Sequence, residues 1–95
     1  MTFDELLTHK TQIMSLFESY GVENPRVFGS TVNGHSNQNS DVDFLVSWPA
    51  PHDLIDRIRL KQELEDLLES KVDLVTEKTL YSSIKNQVMQ AAIPL

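Results

Sequence analysis

The chain has 95 residues, and its hydrophobic content of 40% is normal for a protein that folds around a core. It carries 14 acidic and 8 basic residues, which give a net charge of −6. This charge disfavours nucleic acid as the main ligand, since binding of nucleic acid usually requires a clustered basic surface. Cysteine is absent, which excludes disulfides and thiolate metal sites.

The first twenty residues have the pattern of an amphipathic helix, predicted over residues 2–20. Thr2 and Glu5 fit a capping box at its start, and Gly21 fits the position after its end, where positive φ is common. The acidic N-terminus lacks the basic region of a signal peptide, and no apolar run reaches the roughly 18 to 20 residues of a membrane span. We therefore expect a cytoplasmic protein. The predicted apolar face comprises Phe3, Leu6, Leu7, Ile13, Met14 and Phe17.

Two strands and a polar loop are predicted next. Asn24 and Pro25 are typical of a turn, and residues 26–28 of a short strand that ends at Gly29. Residues 31–40 are rich in Asn, Ser and Gly and are predicted as a loop, and residues 41–46 have the β-branched and aromatic content of a second strand.

A helix, a strand and a second helix complete the prediction, over residues 52–69, 72–75 and 79–92. The alternation of helices and strands predicts one α/β domain over residues 1–95. The apolar side of the first of these helices is predicted to comprise Leu54, Ile55, Ile58, Leu64, Leu67 and Leu68, and the last helix to carry Leu80, Ile84, Val88 and Met89.

Two aspartates in the second strand are the first candidate site residues. Asp41 and Asp43 are two positions apart, so a strand directs both carboxylates to the same side, about 7 Å apart. Their mutual repulsion is relieved if a cation lies between them, and hard oxygen ligands suit Mg²⁺ or Mn²⁺. The alternative is a pair of solvated acids on an exposed strand face.

Asp73 is the third candidate. It lies among Val72, Leu74 and Val75, a run that predicts a central strand, where an acid is costly unless it is paired or bound to metal. If this strand lies beside the second one, three carboxylates converge and provide the ligands of a two-metal site. The alternative is a strand-end residue that pairs with Lys71 or Lys78.

Gly29 and Ser30 are candidate phosphate-binding residues. A glycine at the end of a strand allows close approach of the backbone to a phosphate, and the amides and hydroxyl that follow can donate to its oxygens. Gly-Ser pairs are usually simple turns, so the value of this pair lies in its position ten residues ahead of Asp41.

Taken together, these residues carry a family resemblance. Gly29-Ser30, ten residues, then Asp41-Val42-Asp43 resembles the signature of the DNA polymerase β-like nucleotidyltransferase superfamily. The flanking segments RVFGS, SDVDFLV and KVDLV are similar to its smallest branch, the minimal nucleotidyltransferases of the MntA type. The resemblance implies an α+β palm, in which a small mixed sheet is flanked by helices.

The resemblance also implies an activity and the roles of five residues. Asp41 and Asp43 would ligate two Mg²⁺ ions, Asp73 would ligate the catalytic one and help to deprotonate the acceptor, and Gly29 and Ser30 would bind the triphosphate of ATP. The acceptor hydroxyl would attack the α-phosphorus and release pyrophosphate. Members of this branch resemble type VII-like antitoxins that transfer AMP to a tyrosine of a HEPN-domain RNase toxin, so we expect an assembly with such a partner.

One departure from the family pattern concerns the loop after the Gly-Ser pair. Relatives commonly carry arginine there, whereas this chain has no Lys or Arg between Arg26 and Arg57. Metals, backbone amides or a partner's cation would then have to offset the triphosphate charge. Two alternatives stay open: an antitoxin that neutralises its partner by binding alone, and nucleotidyl transfer to another acceptor. Trp48 and Pro49 could form a partner surface, although packing at the rim of the core is favoured.

Overall fold

The computed structural model describes residues 2–29, 41–79, 88 and 90–95. None of the helices within these residues is long and apolar enough to cross a membrane. In chain order, the elements are α1 (Phe3–Leu7), α2 (Lys10–Ser19), β1 (Glu23–Phe28), β2 (Val42–Ser47), α3 (Leu54–Leu68), β3 (Val72–Thr76), a 3-10 turn (Glu77–Thr79) and β4 (Ile93–Pro94).

The strands form a mixed sheet in the order β3-β2-β1-β4. β1 is antiparallel to both of its neighbours, β2 and β4. β2 and β3 are parallel, which requires a crossover, and α3 provides it. This arrangement confirms the predicted mixed sheet with flanking helices.

The N-terminal helix is interrupted, so the prediction of one helix over residues 2–20 is wrong. The Thr8 hydroxyl donates to the Glu5 carbonyl at 2.6 Å, and the Thr8 amide donates to the same carbonyl at 3.2 Å. These local bonds compete with continuation of the helix. One half of the predicted capping box forms, because Thr2 Oγ1 accepts from the Glu5 amide at 3.2 Å, and among the described residues α1 shows no reciprocal bond to the Glu5 side chain. Of the predicted apolar face, Leu6, Ile13 and Phe17 are buried, whereas Leu7 and Met14 are exposed.

Gly21 ends α2 as predicted. Its φ is +74°, its amide donates to the Glu18 carbonyl, and the Val22 amide donates to the Phe17 carbonyl. This pair of bonds is the Schellman arrangement, which favours glycine at the position with positive φ. A Cβ at this position would lie only 2.7 Å from the Ala50 Cβ, so packing also requires glycine.

Asn24 and Pro25 lie within β1, so the prediction of a turn before the strand is wrong. Asn24 has a φ of +52°, and the register with β2 shifts between Glu23 and Arg26, which marks a bulge. Proline is tolerated at such a position because no ladder amide is needed there. The Pro25 carbonyl accepts from the Leu95 amide at 3.0 Å, which attaches the C-terminal residues to β1.

α3 buries only part of the predicted apolar face: Leu64 and Leu68 are buried as predicted, whereas the first three predicted residues are exposed. Its start is fixed by a capping box in which Asp53 and Asp56 each accept from the other's amide. Leu60, Leu64 and Leu68 are buried. The predicted core residues Leu54, Ile55 and Ile58 are instead 71%, 59% and 58% exposed. At 100° per residue, the two apolar groups point roughly 130° apart, so one helix cannot bury both against one sheet.

The predicted C-terminal helix is only partly within the described residues. Residues 77–79 form the 3-10 turn, whereas Val88, Gln90 and Ala91 are helical, and the Ala92 amide donates to the Val88 carbonyl at 2.9 Å. The strand β4 that follows was not predicted. Leu80, Ile84, Met89 and the predicted loop 31–40 lie outside the described residues, so the predictions for them stay predictions.

The main core lies between the helices and one face of the sheet. Phe17 of α2 meets Phe44 of β2 edge to face, with 5.4 Å between ring centroids. Trp48 is buried, donates its indole N–H to the Tyr20 carbonyl at 3.0 Å and stacks on His52. The packing interpretation of Trp48 is therefore confirmed. The buried residues of this core are Leu6, Ile13, Phe17, Val22, Val27, Val42, Phe44, Val46, Trp48, Leu60, Leu64, Leu68 and Val72.

Candidate functional site

The register of the parallel pair brings two of the predicted site residues together. Asp43 of β2 and Asp73 of β3 are directly paired across the ladder. Neighbouring strands are about 4.8 Å apart, and paired residues in a sheet point to the same face. Val42, Phe44 and Val72 belong to the core, so both carboxylates lie on the opposite face of the sheet. The second and third strands are neighbours, which was the condition for convergence of the carboxylates.

Asp41 lies at the same end of the sheet. It immediately precedes β2 and is exposed, and Asp43 follows two residues later. β1 ends here at Phe28, which pairs with Asp43 from the other side. The start of β2, the start of β3 and the end of β1 therefore lie at the same end of the sheet, and the three predicted acids lie there too.

Asp43 is the residue whose electrostatics is most perturbed. Desolvation by burial, then the negative charges of Asp73 and Asp41, raise the pKa of this carboxyl from 3.8 to about 6. Both neighbouring acids are thus close enough to repel it. This repulsion is unfavourable in the absence of a cation, and the attraction of both carboxylates to a bound cation would offset it.

Gly29 packs directly against this carboxylate. Its φ is +79°, a conformation that favours glycine, and a Cβ added here would lie 3.2 Å from Asp43 Cγ and still closer to Oδ2. The prediction gave phosphate approach as the reason for glycine, and the structure adds a second one, the position of Asp43. Ser30 lies outside the described residues, so its predicted role stays a prediction.

Asp73 lies in a different environment from the predicted one. β3 is an edge strand of the described sheet, and Asp73 is exposed, so the prediction of a central strand is wrong. Only one face of β3 packs on the core, through Val72 and Leu74. The alternative pairing with Lys71 or Lys78 does not form, since the single salt bridge of the described residues joins Arg26 and Glu77.

The donor set fits magnesium held together with a nucleotide, rather than a cage made by protein alone. Within residues 2–29, 41–79, 88 and 90–95, no group of three His, Asp or Glu side chains forms a ready-made metal cage. Mg²⁺ is usually bound through one or two carboxylates, with water and substrate phosphate as its other ligands. Asp43 and Asp73 in register, with Asp41 beside them, match that requirement.

Arg26 makes a contact that the sequence did not predict. Its guanidinium donates to the Glu77 carboxylate and, through Nε, to the Asn24 carbonyl at 3.2 Å. Because β2 lies between β1 and β3, this buried side chain extends across β2 to reach Glu77, the residue after β3. The Arg26 guanidinium is therefore occupied by these two contacts and does not replace the missing loop arginine.

A groove beside Asp73 was also missed. It has a volume of about 270 Å³ and lies between α3 and β3. Arg57 and Lys61, four residues apart on α3, would have been the sequence signal for its charged side. Its lining residues are Leu54, Arg57, Ile58, Lys61, Asp73 and Leu74.

Comparisons with known proteins agree with this geometry. The model of the family described as polymerase beta, nucleotidyltransferase, matches residues 11–95. The protein adenylyltransferase MntA of Thermococcus cleftensis is 38% identical over 88 residues, which cover 93% of this chain and 86% of the relative. These matches confirm the family resemblance predicted from Gly29, Ser30, Asp41 and Asp43.

Solved structures extend the similarity to the fold. A structure described as a "putative minimal nucleotidyltransferase" is 38% identical, with a TM-score of 0.88 and coverage of 100% of this chain and 97% of that one. A toxin-antitoxin structure with AMP-PNP is 29% identical, with a TM-score of 0.77 and coverage of 90% and 70%. A tri-AMPylated HEPN toxin of Shewanella oneidensis in complex with its MNT antitoxin gives 25% identity, a TM-score of 0.71 and coverage of 95% and 70%.

Proposed function

This chain belongs to the polymerase beta nucleotidyltransferase family, and on that premise we propose that it transfers AMP from ATP to a hydroxyl of a partner protein. The observation that carries the proposal is the pairing of Asp43 with Asp73, with Asp41 at the same edge of the sheet. Support for AMP as the transferred group comes from the relative named protein adenylyltransferase. Support for ATP as the donor comes from the similar complex that contains AMP-PNP.

We assign the predicted roles to the same residues. Asp41, Asp43 and Asp73 would hold Mg²⁺, and Gly29 and Ser30 would bind the triphosphate. When bound, the metal would supply positive charge against the triphosphate and the developing charge of the reaction. The exposure of Asp73 keeps its carboxylate accessible to an acceptor, whereas Asp43 is half-buried and lies close to Gly29.

The proposed step is an in-line displacement at the α-phosphorus. A bond forms between the acceptor hydroxyl oxygen and the α-phosphorus, and the bond from that phosphorus to the bridging oxygen breaks. Pyrophosphate leaves with the electron pair, and the proton of the hydroxyl passes to the Asp73 carboxylate. Positioning and electrostatic stabilisation supply most of the rate enhancement in such reactions.

We propose that the acceptor is a tyrosine of a HEPN-domain toxin and that AMP transfer silences it. The support is the similar antitoxin whose HEPN partner is tri-AMPylated. A net charge of −6 favours a protein acceptor over an RNA end, because RNA binding requires neutralisation of phosphates.

A specific observation favours a second candidate, neutralisation of the toxin by binding alone. No Lys or Arg occurs between Arg26 and Arg57, and the Arg26 side chain is bound to Glu77. A triphosphate would then rely on metal and backbone for its charge neutralisation, which would slow turnover without affecting the binding of a partner.

The test is incubation of this chain with α-labelled ATP, Mg²⁺ and a HEPN-domain protein from the same genome. AMP transfer is the proposal's expected result, and Asp43→Asn should abolish transfer and toxin neutralisation together. Asp66→Asn, at an exposed acid of α3 outside the site, is the matched control and should leave both unchanged. Neutralisation without transfer, retained in Asp43→Asn, would instead establish the binding-only candidate.

A further inference from the structure

The groove between α3 and β3 is continuous with the proposed catalytic site. Asp73 lines one wall, and Leu54, Arg57, Ile58 and Lys61 of α3 line the other. The groove therefore begins beside Asp73, a residue of the proposed reaction, and extends along α3. Nothing in the proposed nucleotide contacts uses these helix residues.

The direction of the proposed displacement decides which substrate approaches the groove. Gly29, assigned to the triphosphate, contacts Asp43 from the β1 side, whereas Asp73 lies beside Asp43 on the β3 side. In an in-line reaction, the attacking and leaving oxygens lie on opposite sides of the phosphorus. With pyrophosphate on the Gly29 side, the acceptor hydroxyl enters over Asp73, at the edge of the sheet where the groove lies.

The chemistry of the groove indicates what the acceptor presents. Leu54 and Ile58 are 71% and 58% exposed, which is unusual for adjacent large hydrophobic residues on one helix face. Arg57 and Lys61 lie on the same wall, and neither forms a salt bridge with an acid among the described residues. Two cations beside an apolar patch, on a chain of net charge −6, are complementary to a segment with both acidic and apolar side chains.

We infer that this groove, formed by Leu54, Arg57, Ile58 and Lys61 beside Asp73, binds the acceptor protein through an acidic and apolar segment next to the modified hydroxyl. The inference rests on the proposed AMP transfer to a protein. It places acceptor specificity on α3, in residues that are distinct from those assigned to ATP and metal. Leu54 and Ile58 provide the apolar contact, and Arg57 and Lys61 select acidic neighbours of the hydroxyl.

The experiment measures steady-state AMP transfer to a HEPN-domain protein from the same genome, with the concentrations of acceptor and ATP varied separately. The variant Arg57→Glu/Lys61→Glu reverses both groove charges, and Arg59→Glu reverses the charge of an α3 residue that does not line the groove. Ile58→Ser removes an apolar groove contact, and Ile55→Ser removes an equally exposed side chain outside the groove.

We expect the double charge reversal and Ile58→Ser each to raise the KM for the acceptor by about tenfold or more, with the KM for ATP unchanged. The two controls should change the acceptor KM by less than about twofold. A wild-type chain that transfers AMP while the groove variants keep a normal acceptor KM would overturn the inference and leave the activity intact. Transfer to an RNA end that depends on Arg57 and Lys61 would also overturn it, whereas a wild-type chain without any transfer would refute the proposed function itself.

Discussion

At the scale of single residues, Asp43 carries the main electrostatic cost of the site. It is half-buried and lies between two other acids, and burial, Asp73 and Asp41 raise its pKa to about 6. A chain selected only for stability would avoid this arrangement, since charged groups without partners are costly in a partly buried position. Binding sites often keep such unfavourable groups because a ligand compensates them.

This cost predicts a pH-dependent gain of stability in Asp43→Asn. A raised pKa means that the folded state holds its proton more tightly, so wild-type stability falls as pH increases from 3.8 to about 6. Without divalent metal at pH 7.5, the variant should unfold with a free energy about 1 to 2 kcal/mol higher than wild type, after allowance for partial exposure. At pH 3.5 the difference should disappear. Urea unfolding at the two pH values measures it, and equal differences at both would contradict the account.

Gly29 provides a second prediction at this scale. Gly29→Ala should lower the free energy of unfolding by about 1 to 2 kcal/mol, because it combines positive φ with a close contact to Asp43. In an Asp43→Ala background the same change should cost less, since the carboxylate is gone. A double-mutant cycle from thermal unfolding measures the coupling. Strict additivity would show that backbone conformation, rather than Asp43, determines the cost.

At the scale of secondary-structure elements, features that depend on nearby residues were predicted better than features that depend on tertiary contacts. The convergence of Asp43 and Asp73 was predicted only on the condition that their strands are neighbours, and the structure meets this condition. Gly21 ends α2 as predicted. The break at Thr8, the bulge at Asn24 and the short strand β4 depend on bonds to neighbouring carbonyls or to distant strands. Periodicity alone carries no information about such bonds.

α3 shows the same limit, because it has two apolar faces and only the sheet determines which one is buried. The structure predicts that Leu64→Ala costs about 2 to 5 kcal/mol, as expected for a fully buried leucine. Ile58→Ala should change stability by less than about 0.5 kcal/mol, since this side chain is mostly exposed in the free protein. Denaturant midpoints of the two variants measure the contrast. Similar losses in both would place Ile58 in the core and remove it from the groove.

At the scale of the whole molecule, a partly buried ion pair connects strands on both sides of β2. Arg26 of β1 reaches Glu77 beyond β3, so it connects strands on both sides of β2. The site lies across the same three strands, at Gly29, Asp43 and Asp73. The ion pair therefore helps to maintain the relative positions of the strands that carry these residues.

Removal of one partner of this pair should be more harmful than removal of both. Glu77→Gln should lower the free energy of unfolding by about 2 to 3 kcal/mol, because it leaves the Arg26 guanidinium buried without its counter-charge. Arg26→Met/Glu77→Leu should lose less, since no buried charge remains. Chemical denaturation of the single and double variants measures this. A double variant less stable than Glu77→Gln would show that the pair itself contributes net stability.

The central claim is that Asp43 and Asp73 hold a divalent cation together with a nucleoside triphosphate. The most direct measurement is a crystal structure with AMP-PNP and Mn²⁺, in which anomalous scattering locates the metal. We expect a peak within about 2.0 to 2.3 Å of carboxylate oxygens of both residues, with the triphosphate extending toward Gly29. A nucleotide bound elsewhere, or a metal that contacts neither Asp43 nor Asp73, would contradict the account.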